Sequence, residues 1–131
     1  YVDNDGYLYL TGRKKDIIIR GGINVHPSDI EKVLNKHPQI KESAVIGIKN
    51  NKLGEEIYAL IIFKDIKKIN PRILYKYCIA NLADYQIPST FYSVNNFPRG
   101  SLNKISKFLI KKNLKNYVTK KNIFFTNFSI F

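Results

Sequence analysis

The sequence predicts an α+β domain, a small antiparallel sheet with helices packed on it and a short two-stranded hairpin in front. Three observations carry that expectation. Two β-branched, apolar runs, Ser43 to Ile48 and Glu56 to Phe63, flank a polar loop holding Asn50, Asn51 and Gly54. Helix-start signals at Pro27 and at Asn70-Pro71 alternate with those runs. The 131 residues, 44% apolar and 24% charged, suit a single core and lie outside the disordered class.

At the start, Asp3-Asn4-Asp5-Gly6 is a turn signal, and Tyr7-Leu8-Tyr9-Leu10 reads as a short strand that ends at Thr11-Gly12. Asp16 to Arg20 is a second strand, completing the hairpin, and is stopped by Gly21-Gly22. Paired glycines permit positive φ and close approach to a neighbour. Ser28 and Glu31 have the spacing of a capping box, Pro27 suits a first helical position, and Ile30, Val33 and Leu34 share a face, so a helix is expected over 27–36. His37-Pro38 ends it. The two central runs are expected to pair antiparallel as neighbouring strands.

Asn70 is an N-cap with proline behind it, and Ile73, Leu74, Tyr77, Cys78 and Leu82 form the apolar stripe of a second helix ending near Leu82. Thr90 to Val94 is a further strand, and Phe97 to Ser101 a loop. A third helix is expected over 104–115, with Ile105, Phe108 and Leu109 inward. From Tyr117 to Phe131, Lys mixes with Phe and Ile without a period, which leaves an edge strand or disorder open.

Composition narrows the function. Cys78 is the single cysteine, so neither an internal disulfide nor a multi-thiolate zinc site can form, and a reducing compartment, the cytoplasm, is expected. No apolar run reaches the roughly 18–20 residues that span a bilayer. The chain has no methionine, initiator included, and is expected to begin inside a longer polypeptide. A net charge of +12 invites a phosphate-binding reading. Yet 18 of the 22 basic residues are Lys, which forms no bidentate fork, and a solvated Lys-rich face accounts for the charge more simply. No acidic residue follows Asp84, whereas eight basic ones lie between Arg99 and Lys121. Nucleic acid is not an expected partner.

Four segments do name a chemistry. They are Asp5-Gly6-Tyr7-Leu8-Tyr9 leading to Gly12-Arg13-Lys14-Lys15-Asp16, then Arg20-Gly21-Gly22-Ile23-Asn24-Val25-His26-Pro27-Ser28-Asp29-Ile30-Glu31, then Leu82-Ala83-Asp84-Tyr85-Gln86-Ile87-Pro88, and finally Pro98-Arg99-Gly100-Ser101-Leu102-Asn103-Lys104. In this order and spacing they resemble the C-terminal domain of the adenylate-forming superfamily, which comprises acyl-CoA synthetases, peptide-synthetase adenylation domains and luciferases. The Gly21-Gly22 loop with Asn24-Val25-His26-Pro27 is most similar to acyl- and aryl-CoA ligases. The chain departs from the family pattern at Asn103, where the family has glycine before its lysine. Asn is the commonest non-glycine visitor to the left-handed region, so the loop shape is expected to survive.

The resemblance implies a division of the chain into residues 1–15, the end of an N-terminal adenylation domain with its hinge, residues 16–116, a C-terminal lid, and the tail 117–131. It implies an ATP-dependent, AMP-forming carboxylate–thiol ligase whose first step brings a carboxylate to the α-phosphate of ATP. Two anions repel until a cation stands between them, and Lys104 is implied as that cation. Arg13 is implied to contact the nucleotide ribose, and Lys15 to be the hinge. Gly21 and Gly22 are implied to line the passage of a pantetheine thiol, besides satisfying a tight turn, and Arg20 to meet a coenzyme A phosphate. ATP with Mg²⁺ and coenzyme A are the implied small molecules of the longer enzyme, none of them held tightly by this chain alone. The implied partners are the N-terminal adenylation domain of the same polypeptide and a carboxylic acid. No metal ligand is assigned, His26 is read as capping or packing, and Cys78 as core. A lid that serves a carrier-protein pantetheine, and a basic nucleic-acid or membrane module, remain the alternatives.

Overall fold

The computed structural model describes residues 17–50 and 54–126. It is α+β, as expected. In chain order the elements are β1 (Ile18–Arg20), β2 (Ile23–Val25), α1 (Pro27–Asn35), β3 (Ile40–Asn50), β4 (Gly54–Phe63), α2 (Pro71–Asn81), β5 (Thr90–Ser93), α3 (Lys107–Lys112) and β6 (Ile123–Thr126), with single 3₁₀ turns between several of them.

β3 and β4 form the long antiparallel pair, in register from Glu42↔Ile62 to Asn50↔Gly54. β4 is the central strand. One edge of it carries β3, and the other is shared by β1, at Arg20↔Gly54, and by β5, at Tyr58↔Thr90 through Ile61↔Ser93. The β4–β5 pair is parallel, which corrects the expectation of a wholly antiparallel sheet. The cause is the connection: the chain from Lys64 to Ser89 contains α2 and is long enough for the crossover that parallel neighbours require.

Alternation along β3 and β4 sends side chains to two cores. Val45, Ile57, Ala59, Ile61 and Phe91 face α1 and α2, meeting Ile30, Leu34, Leu74 and Cys78. Ala44, Ile46, Leu60 and Tyr92 face the other way, against Ile110 of α3 and Phe97. A sheet covered on both faces explains why its central runs are continuously apolar rather than alternating. Cys78 is fully buried, and burial pushes its thiol up to about 12, so it is a packing residue.

Local signals succeed and fail for identifiable reasons. The Asn70 side chain accepts from the Arg72 amide at 2.8 Å and starts α2 as expected. The capping box expected at the first helix does not form. His26 is the N-cap, Pro27 occupies the first turn, and Glu31 turns instead to the Val45 amide at 2.8 Å. The third helix is shorter than its expected span. Ser106 is its N-cap, accepting from Leu109 at 3.2 Å, and this late start makes Ile110 the buried residue while Phe108 is 72% exposed. In the tail, β6 pairs antiparallel with β5, and its Phe124 and Phe125 rings pack on Phe63, Tyr75 and Phe91. The edge-strand alternative is the one observed.

The hairpin expected between 7–10 and 16–20 falls largely outside the described residues. The hairpin described is the next one, β1 with β2, joined through Gly21-Gly22.

Candidate functional site

Among the described residues, the family-like segments assemble at two ends of one sheet. The first assembly begins at the β1–β2 turn. Gly21 and Gly22 have φ of 58° and 82°, so both central residues are left-handed, as a two-residue turn of the primed type demands. A Cβ built on either glycine meets nothing within 4 Å. Backbone conformation, not crowding, therefore favours glycine there within this chain, and the space around the turn is open.

Arg20, just before the turn, is 9% exposed, and its Nη1 donates to the Ile87 carbonyl oxygen at 3.2 Å. The guanidinium thus fastens the glycine hairpin to the Leu82-to-Pro88 segment, bringing the second and third motifs together. This contact occupies Arg20 inside the protein. The Ile19 amide donates to Glu55 Oε1 at 2.8 Å, which fixes β1 to the start of β4. Ile19 and Ile23 expose about half their surface beside the turn, at 52% and 45%. His26 is exposed and begins α1 without a side-chain cap.

The second assembly is the loop from Pro98 to Ser106. It closes on itself as a small hairpin. Arg99 and Ile105 form an antiparallel bridge, the Ser106 amide donates to the Pro98 oxygen at 2.8 Å, and the Gly100 amide donates to the Lys104 oxygen at 2.8 Å. Reversing the chain within so few residues requires left-handed backbone, and Leu102 and Asn103 supply it at φ of 59° and 60°. Asn103 thus stands in the left-handed region that glycine visits freely and that Asn adopts more readily than other side chains. Lys104 follows in extended backbone, exposed to solvent.

Two side chains tie the loop to the sheet: Ile105, which packs on the core beneath β3 and β4, and Arg99. Arg99 Nη2 donates to both carboxylate oxygens of Glu42, at 2.6 Å each, and Nη1 donates to the Asn103 carbonyl at 3.2 Å. Neither Glu42 nor the role of Arg99 is apparent from sequence spacing, because the pair spans 57 positions. A signal does exist: in a chain of 18 Lys and four Arg, Arg20 and Arg99 stand where a guanidinium reaches a backbone carbonyl.

The two assemblies are far apart. The glycine turn adjoins Gly54, and the Lys104 loop is held at Glu42, opposite Ile62. Gly54 and Ile62 are eight residues apart on β4, which is roughly 27 Å at the rise of an extended strand. The structure therefore does not bring Lys104 together with Gly21 and Gly22. Arg13 and Lys15 lie outside the described residues. No three His, Cys, Asp or Glu side chains among the described residues gather as a metal site, and no helix among them is long and apolar enough to cross a membrane.

Comparison with known proteins gives the same answer by an independent route. The chain is 36% identical over 120 residues to a 2-succinylbenzoate–CoA ligase of Geobacillus kaustophilus, which covers 92% of this chain and 24% of that protein. It is 33% identical over 117 residues to a mitochondrial medium-chain acyl-CoA ligase of Bos taurus, covering 89% of this chain and 19% of the relative. Among solved structures, o-succinylbenzoate CoA synthetase of Bacillus subtilis, in complex with its acyl-adenylate intermediate, superimposes with a TM-score of 0.69 at 35% identity, over 88% of this chain and 22% of that one. ATP-bound MatB of Rhodopseudomonas palustris gives 0.72 at 28% identity, over 79% and 20%. The chain thus spans about a fifth to a quarter of the length of these relatives. The family model described as the AMP-binding enzyme C-terminal domain matches residues 29–104, a span that runs from α1 to Lys104, and the chain belongs to that family.

Proposed function

We propose that this chain is the C-terminal lid of an ATP-dependent, AMP-forming acyl- or aryl-CoA ligase, and that it presents two different ends of its sheet to the two half-reactions. The observation that carries this reading is the separation of Lys104 from the glycine turn along β4, with each held by its own arginine. A single orientation of a small domain does not bring both ends to one reaction centre, whereas a rotation about a hinge brings each in turn.

In the first orientation the Lys104 ammonium stands between the substrate carboxylate and the α-phosphate. A carboxylate oxygen forms a bond to phosphorus, the bond to the bridging oxygen of pyrophosphate breaks, and pyrophosphate leaves with its electron pair. A fixed cation at that point stabilises the charge that accumulates in the transition state. In the second orientation Gly21 and Gly22 flank the approach of the coenzyme A thiol, which gives up its proton to solvent as its sulfur bonds to the acyl carbon and the bond to the AMP oxygen breaks. The names of the relatives favour free coenzyme A as the acceptor.

Residues 1–15 then belong to the end of the N-terminal domain and the hinge at Lys15, with Arg13 toward the ribose, and residues 16–116 form the lid, whose sheet the tail extends through β6. Mg²⁺, the triphosphate and the acyl group are assigned to the N-terminal domain of the longer polypeptide. Arg20 holds the passage hairpin in place through Ile87, and a contact from its remaining guanidinium donors to a coenzyme A phosphate stays part of this reading. The single buried thiol suits a cytoplasmic enzyme.

The test is Lys104→Ala in the longer polypeptide, with the half-reactions measured apart. Substrate-dependent pyrophosphate exchange should fall by roughly two to four orders of magnitude, while thioester formation from supplied acyl-adenylate stays near the parent level. Equal loss in both half-reactions would refute the assignment.

A further inference from the structure

We propose that Arg99 and Glu42 are a positioning pair for Lys104, an inference that rests on the reading of Lys104 as the adenylation cation. A lysine side chain has a long, flexible stem, so the reach of its ammonium depends on where the backbone beneath it is held. The hydrogen bonds inside the Pro98–Ser106 loop fix the shape of that loop. Its direction relative to the sheet is left to two side chains, Ile105 packed on the core of that face and Arg99.

Arg99 supplies the polar anchor, and the one that acts on the peptide bond before Lys104. One nitrogen holds the carbonyl of Asn103, whose peptide bond leads directly into Lys104, and the other is held by both oxygens of Glu42. Glu42 lies on β3 immediately after the register shift between Ile40 and Glu42, an irregularity of the kind that re-aims a side chain at a sheet edge. The guanidinium therefore links the base of the lysine to the longest strand of the sheet. An ammonium at position 99 could keep the charge but not the planar reach to both partners.

The exposure of the pair argues that placement, more than stability, is what it contributes. The two side chains are 31% and 30% exposed, so water screens part of their attraction, while the bond from the same guanidinium to Asn103 acts on placement alone. The loop they hold is itself costly to form, because Leu102 adopts a left-handed backbone while its side chain is 87% exposed, with no burial to offset that conformation.

The experiment uses the longer polypeptide with Arg99→Lys, Glu42→Gln and the double variant, beside a Lys104→Ala control. The kcat of pyrophosphate exchange should fall about tenfold in each single variant, a loss of the size a small misplacement of a reacting group causes. KM for ATP and for the carboxylate should stay within about twofold, as should thioester formation from supplied acyl-adenylate, and melting temperatures should hold within about 2 °C. The double variant should be no worse than either single one, since both break the same tether. Wild-type exchange in the Arg99 and Glu42 variants, with exchange abolished by Lys104→Ala, would overturn the positioning role alone. Full exchange by Lys104→Ala would instead overturn the reading beneath it. A parallel fall of both half-reactions or of the melting temperature would show a structural role and also overturn the proposal.

Discussion

Glu31 Oε2 receives the Lys107 ammonium at 2.8 Å and, at the same distance, the backbone amide of Val45. The two charged residues sit on α1 and α3, which cover opposite faces of the sheet, so this contact passes around the free edge of β3. It satisfies an edge amide and links two helices that share no core. Both side chains are 19% exposed, which shields the pair from solvent more than an ordinary surface ion pair.

The two jobs of Glu31 can be separated by substitution. Glu31→Gln keeps an oxygen for the Val45 amide and loses only the charge, and should cost about 1 kcal/mol, the upper end for exposed pairs. Glu31→Ala leaves the amide of a buried residue without its partner and should cost about 1–3 kcal/mol. Urea denaturation of the chain measures both. Equal costs for Gln and Ala would show that the amide contact contributes nothing separable from the charge.

The glycine turn calls for a substitution that does not confound conformation with bulk. Leucine at Gly21 would strain a φ of 58° whatever lies outside the turn. Asn-Gly is the favoured sequence of a primed two-residue turn, so Gly21→Asn should leave the melting temperature within about 3 °C while adding a side chain to the open space. If Gly21 lines a thiol passage, thioesterification in the longer polypeptide should drop at least about fivefold with pyrophosphate exchange intact. Unchanged thioesterification by a stable Gly21→Asn protein would leave the glycine with a turn role only.

How much of this is legible in the sequence depends on the range of the interaction. The β3–β4 pair and the first two helices follow from periodicity, Asn70 and the paired prolines, all of which act within a few residues. The parallel seat of β5 is invisible locally, because Thr90 to Ser93 would read the same on either edge and in either direction. The start of α3 turns on the choice between Lys104 and Ser106, which the bridge from Arg99 to Ile105 decides. Lys104, Gly21 and Gly22 are visible as motif positions, whereas Ile87, Glu42 and Glu31 owe their roles to contacts made only once the sheet has formed.

Asn103 tests the backbone requirement of the lysine loop. Asn103→Gly should be close to neutral for stability, within about 0.5 kcal/mol, and should keep full pyrophosphate exchange, since glycine visits the same region freely. Asn103→Val places a β-branched residue at a φ of 60°, costs roughly 1–2 kcal/mol and should lower exchange without touching the thiol step. Exchange unaffected by Val would show that the loop regains its shape when Lys104 meets the substrates.

His37 gives the fold a pH dependence whose sign follows from its contacts. It lies in the turn after α1, where its Nδ1 accepts the Gln39 amide at 3.1 Å and its ring stands edge-on to Tyr77, 4.9 Å away between centroids. The Tyr77 hydroxyl donates to the Val33 oxygen at 2.8 Å and so holds that ring in place. Burial lowers the His37 pKa from its ordinary 6.5, and a protonated Nδ1 has no lone pair for Gln39. Between the lowered folded value and 6.5 the unfolded chain binds more protons, so stability rises with pH across that window. The contribution is complete above the unfolded value and is lost as the pH falls through the folded one. The melting temperature should therefore climb as the pH rises toward 6.5 and level off above it, and His37→Asn, whose side-chain oxygen can still accept from Gln39, should flatten the climb. An undiminished slope in His37→Asn would place the titrating group elsewhere.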